Sequence, residues 1–254
     1  FNINQKIVRN GTPPQNRLNC ESYLPQIQAG NWTVQDWQTS NCWGSGTANY
    51  NQMLLENEVC EKLNQGLIDE VWFFSFGYGG FWEATTTGPG AIQTNGPVIQ
   101  NTDCLRSIHI MGFNYEASAA FAMHSFGHRI EGTLKAYIPL LYNQFDTNQE
   151  RYNYTYGVNY YAPNPVPSCG NIHWPPNATS HYQYDNTTNV VWTDCMTWSP
   201  DHSVGREYIH CATWSCTQEG FLTWWMQNIP GDNLYLNPNG RNWWGLIANR
   251  QTSV

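Results

Sequence analysis

Residues 111–134 read MGFNYEASAAFAMHSFGHRIEGTL, and how they fold decides how the whole chain is organised. Alanines at 117, 119, 120 and 122 favour helix, and Asn114 offers a side-chain oxygen that can cap its start, so the pattern predicts one helix over 114–135. At about 100° per residue, Glu116, His124, Gly127, His128 and Glu131 fall on about one third of that helix surface. Two histidines one turn apart can share a ligand. Gly127 weakens a helix, so its place in the stripe predicts a close approach by another segment. The plainer reading of the stripe is a set of satisfied hydrogen bonds beneath a covering loop, because clustered polar groups serve both ends.

Upstream, residues 49–65 carry Leu54, Leu55, Val59 and Leu63 at helical spacing and run into Gly66, a natural helix stop. Residues 67–74, LIDEVWFF, then enter a short apolar run that reads as a buried strand of a parallel sheet. The run opens into SFGYGGFWE at 75–83. Open α/β sheets place ligands in loops at the carboxyl ends of their strands, which makes Glu83 a candidate. The loop matches neither the phosphate-binding nor the dinucleotide-binding glycine pattern, so nucleotide binding has no support. Residues 85–102 read as a turn-rich excursion and 106–112 as a second strand. The expected fold is α/β, a small mostly parallel sheet flanked by helices, in a single secreted domain spanning 1–254. A polar arm (1–46) anchored by Trp32, Trp37 and Trp43 precedes an α/β core (47–136). An irregular, aromatic- and disulfide-rich half (137–254) follows, with one helix expected over 217–227.

Composition narrows the function classes. Charged residues make up 12% of the chain and aromatics 15%, so amides, hydroxyls and rings must dominate the surface. Flat rings stack on sugars and amides bond hydroxyls, which points to glycans or glycoproteins as partners. The formal charge is −8 with no basic cluster, arguing against nucleic acid. No apolar run is long enough to span a membrane. The first residue is Phe1, so the chain reads as a processed protein.

Cysteines occupy 20, 42, 60, 104, 169, 195, 211 and 216. An even count without C-x-x-C favours disulfides over zinc ligation. Proximity suggests Cys20–Cys42, Cys60–Cys104, Cys169–Cys195 and Cys211–Cys216. Sequons at Asn10, Asn31, Asn153, Asn177 and Asn186 add the expectation of a secreted glycoprotein; if glycosylated, those five asparagines are exposed.

The motifs IDEVWFF (68–74), GFWE (80–83), MGFNYE (111–116), HSFGHRIE (124–131), CGNIHWPPN (169–177), WSC (214–216), WW (224–225), Pro230 and WW (243–244) occur in this order. This series resembles a family of uncharacterised secreted proteins, mainly bacterial with some from microbial eukaryotes. The resemblance covers roughly residues 45–247 and implies no particular reaction. It does imply that the Glu83 loop, the helix from Glu116 to Glu131 and the His173 loop form one site. The family commonly has Arg where this chain has Ala117, and Pro in the loop that here reads Tyr78-Gly79-Gly80. The resemblance therefore also allows a site that has lost turnover.

Two chemistries fit these residues. In the first, His124 and His128 hold a divalent metal such as zinc, completed by Glu131, Glu83 or His173, as in catalytic zinc sites with three His/Glu ligands. HSFGH keeps the spacing of H-E-x-x-H but lacks its Glu, which argues against a zincin-type protease. In the second, Glu83 with Glu116 or Glu131 forms the carboxyl pair of a glycoside hydrolase. Glu83, Glu116, Glu131 and His173 are thus the catalytic candidates. The alternative function class is a structural subunit of an extracellular glycosylated fibre or coat, self-assembling over an inherited and inactive site.

Overall fold

The structure is a computed structural model that describes residues 6–7, 48–75, 79–138, 169–197, 205–231 and 243–248. Most of the N-terminal arm, with Trp32, Trp37, Trp43, Cys20, Cys42, Asn10 and Asn31, lies outside the described residues, as does Asn153. Two compact units divide the chain, Phe1–Phe126 and Gly127–Val254.

In the first unit, α1 (Tyr50–Glu56) starts at Asn49, whose side-chain oxygen accepts the Gln52 N–H at 3.1 Å. The single helix expected over 49–65 is in fact two, because α2 (Val59–Asn64) begins after Glu58 turns left-handed at φ 55°. Asn57 draws the chain out of the first helix by donating its side-chain amide back to the Met53 carbonyl at 2.7 Å. Gly66, at φ 73°, stops α2 as expected. Its N–H donates to the Leu63 carbonyl and that of Leu67 to the Lys62 carbonyl, the paired bonds of a Schellman end.

Strand β1 (Glu70–Ser75) pairs in parallel with β3 (Ile108–Asn114), setting Phe73 opposite Gly112. Between them in sequence, β2 (Ala84–Thr87) pairs antiparallel with β3, so the order is β1-β3-β2. The sheet is therefore mixed, not mostly parallel, and the turn-rich reading of 85–102 missed its third strand. ATTT lacks the apolar residues that announce a buried strand. Its threonines are nevertheless fully buried, each hydroxyl donating to a carbonyl: Thr85 to Pro97, Thr86 to Ile92 and Thr87 to Ile99. Tyr50, Met53, Leu54, Val59, Leu63, Phe81, Ile108 and Ile110 form the core that α1 and α2 share with the sheet. The Cys60–Cys104 disulfide ties α2 to the approach of β3.

The long helix α3 (Ala119–Tyr137) starts five residues later than the sequence suggests. Asn114 does not cap it. It ends β3, and its side-chain oxygen accepts the Glu116 N–H at 2.9 Å in a local turn. Ala122 and Phe126 of α3 pack on Ala84, Met111 and Phe113 of the sheet. The division between the units falls within this helix, after Phe126.

In the second unit, β4 (Val191–Thr193) and β5 (Glu207–Ile209) form an antiparallel pair. Helix α4 (Gln218–Gln227) follows Thr217, whose hydroxyl caps it by accepting the Gly220 N–H at 3.0 Å, and it buries Phe221, Leu222, Trp224 and Trp225. The short α5 (Trp243–Ala248) buries Trp243, Leu246 and Ile247. Disulfides join Cys169 to Cys195 and Cys211 to Cys216. Three pairings favoured by proximity are thus formed, and no free cysteine occurs among the described residues. They fit an oxidising, extracellular compartment. Among the described residues, no helix is long and apolar enough to cross a membrane.

Candidate metal centre

Residues 169–190 present His173, and the sequence explains how they hold their shape. Asn171 and Trp174 exchange backbone hydrogen bonds of 3.0 Å, and the Asn171 side chain accepts the His173 N–H at 2.9 Å. Pro175 and Pro176 then restrict the chain on the far side. The Tyr182 N–H donates to the His173 carbonyl at 2.7 Å. Two indoles anchor the segment from below: Trp225 Nε1 donates to the Gly170 carbonyl and Trp214 Nε1 to the Tyr184 carbonyl, at 3.2 and 2.7 Å.

This strap lies directly against α3. A Cβ built on Gly127 would overlap Cγ2 of Ile172, so the close approach predicted for this glycine is real and its occupant is Ile172. The Ile172 backbone is held on both sides. Its N–H donates to Glu131 Oε1 at 3.1 Å, and its carbonyl accepts the Tyr184 hydroxyl at 2.6 Å. Burial pushes the Tyr184 phenol well above its ordinary pKa, with the charges of Tyr182 and Glu131 adding to the effect, so Tyr184 stays a donor at physiological pH.

The helix and the strap together bring three imidazoles into one cluster. His124 and His128 stand one turn apart on α3, their relative position set by the helix itself. The His128 and His173 rings are 5.2 Å apart, edge to face. One nitrogen from each of His124, His128 and His173 lies within 4.8 Å of the others. His124 is buried, and the other two are partly exposed. Three imidazoles, presented from a helix and a disulfide-braced strap, could together hold a metal ion.

The carboxylates fall differently from the sequence reading. Glu116 is not on the helix at all; it is exposed in the turn between β3 and α3, because the helix starts at Ala119. Glu131 is 2% exposed, with Oε2 3.7 Å from His128 Nδ1 and Oε1 on the Ile172 N–H. It contacts His128 and is not a member of the three-histidine group. Glu83 accepts from Asn95 at 2.8 Å and from the Ser125 hydroxyl at 3.3 Å, reaching α3 one residue from His124.

The sequons also need correction. Asn177 is completely buried and Asn186 is 7% exposed. The Asn177 Nδ2, the atom a glycan would occupy, donates to the carbonyls of Asn186 and Asn189 at 2.8 and 3.0 Å. Asn186 returns the bond to the Asn177 carbonyl at 3.1 Å. A sequon pattern carries no information on burial, and these two asparagines are structural.

No protein-family model, curated protein or solved structure matches the chain.

Proposed function

We propose that this chain is an extracellular, metal-dependent hydrolase whose substrates are glycans or glycoproteins, with the ion held by His124, His128 and His173. The observation that carries the reading is the convergence of these three nitrogens within 4.8 Å. A bound divalent ion would supply a nucleophile at neutral pH by acidifying water. The protein's part is to fix three ligands and leave the remaining position accessible. His173 and Tyr182, ring to ring at 4.7 Å, offer an aromatic rim of the kind that stacks on sugar rings, and Tyr182 is 54% exposed. The metal reading is preferred to the carboxyl-pair reading because three histidine nitrogens converge, whereas Glu116 lies off the helix and Glu131 contacts His128. The resemblance to a secreted family is compatible with this proposal and adds no reaction to it.

The test is hydrolysis of a polysaccharide and glycopeptide panel by the zinc-loaded full chain. Turnover is expected with zinc and should disappear on chelation and in a folded His124→Ala variant. Undiminished turnover after chelation, or none from a chain shown to hold zinc, would contradict the proposal. The assembly reading has one observation in its favour: β1, the edge of its sheet among the described residues, shows Trp72 at 40% and Phe74 at 58% exposure. Polymers in electron micrographs of an inactive, zinc-loaded chain would give that reading precedence.

A further inference from the structure

A metal held by three imidazoles depends on the atoms behind them, and one buried carboxylate stands behind two of the ligand-bearing segments here. We infer that Glu131 is the positioning residue of the proposed centre, holding His128 with Nδ1 protonated and Nε2 turned to the ion while fixing the strap that carries His173. The inference rests on the metal reading above.

The geometry assigns each oxygen a task. Oε2 lies 3.7 Å from His128 Nδ1, one helical turn away, in ion-pair range but longer than a hydrogen bond. Oε1 accepts the N–H of Ile172, the residue before His173. The glutamate side chain is 3% exposed and that of His128 is 14% exposed, so water competes little for the interaction. Burying a carboxylate is costly unless it is hydrogen bonded or paired, so this one must be answered by donors, and a protonated Nδ1 is a natural donor. Once drawn to hydrogen-bond length, that contact would fix the tautomer: with the proton on Nδ1, the lone pair that a metal takes is on Nε2. A carboxylate behind a ligating imidazole also raises its basicity. The same side chain pins Ile172 from its N–H while Tyr184 pins it from its carbonyl, so the His173 backbone has little freedom to retreat from the ion. Metal loading should draw His128 Nδ1 to hydrogen-bond length from Glu131. Glu131 itself does not touch the ion.

Glu131→Gln separates this role from mere packing. Glutamine keeps an oxygen for the Ile172 N–H but cannot accept from Nδ1 with the same oxygen, and it carries no charge. In the full-length chain, zinc affinity measured by competition with a chromophoric chelator should fall by about 10–100-fold, while the melting temperature of the metal-free protein stays close to wild type. In the zinc-loaded wild type, long-range ¹H–¹⁵N spectra should show His128 protonated at Nδ1 and ligating through Nε2. Zinc affinity of Glu131→Gln within about twofold of wild type would overturn the inference and leave the metal reading standing. So would a spectrum with His128 ligating through Nδ1, and that spectrum decides the matter even where the variant fails to fold. A wild-type chain that binds no zinc would remove the metal reading and this inference together.

Discussion

Asn177→Ala is expected to destabilise the second unit by about 3 kcal/mol, measured by denaturant unfolding, with the midpoint falling at unchanged slope. The side-chain Nδ2 donates to two carbonyls, those of Asn186 and Asn189, and the Asn177 backbone carbonyl accepts from both of those side chains. Alanine would leave both carbonyls short of a donor, the Asn186 one in a buried bond and the Asn189 one in a part-buried bond. Each buried polar group left unsatisfied costs about 1–3 kcal/mol. The same geometry requires that Asn177 and Asn186 carry no glycan in the folded protein. Peptide mapping by mass spectrometry should find both unmodified; an occupied Asn177 in folded protein, or an alanine variant as stable as wild type, would contradict the burial.

Gly127→Ala is expected to weaken both the fold and the metal centre, against the direction that helix propensity predicts. Alanine in mid-helix is favoured over glycine by about 0.8–1.0 kcal/mol. Here the new methyl would overlap Ile172 Cγ2, and Ile172 is fully buried with both backbone polar atoms engaged. Overpacking of this kind costs about 1–3 kcal/mol, which exceeds the propensity gain over most of its range. A shift of Ile172 also moves His173 away from His124 and His128, so zinc affinity should fall by about tenfold or more. A more stable variant with unchanged zinc affinity would show that the strap does not need its close seat on α3.

How much of this was legible beforehand depended on whether a residue's role was local. The helix expected over 217–227 and the stop at Gly66 rest on local signals, and both are found, the helix starting one residue later with Thr217 as its cap. The break between α1 and α2 was not, since it rests on one left-handed Glu58 that no residue preference announces. Asn114 misled because the same side chain suits a helix cap and a turn at a strand end, and the pairing of β3 decided for the turn. The ATTT strand was hidden because its burial is satisfied by hydroxyl-to-carbonyl bonds contributed from residues 92–99. At the site, the one-turn spacing of His124 and His128 was visible, and so was the need for something to approach Gly127. That His173 comes in with Ile172 is a long-range fact, accessible only through the resemblance of motifs. The bond of Glu131 to the Ile172 N–H is long-range in the same way: its position on the helix was legible, but its partner across the chain was not.

The most direct test of the metal centre is X-ray absorption at the zinc edge on full-length protein loaded with one equivalent of zinc, alongside His173→Ala. The account predicts stoichiometric binding, with a first shell containing three imidazole nitrogens at about 2.0–2.1 Å and the loss of one imidazole in the variant. A wild-type chain that takes up no zinc, or a zinc shell without imidazole scattering that His173→Ala leaves unchanged, would contradict it.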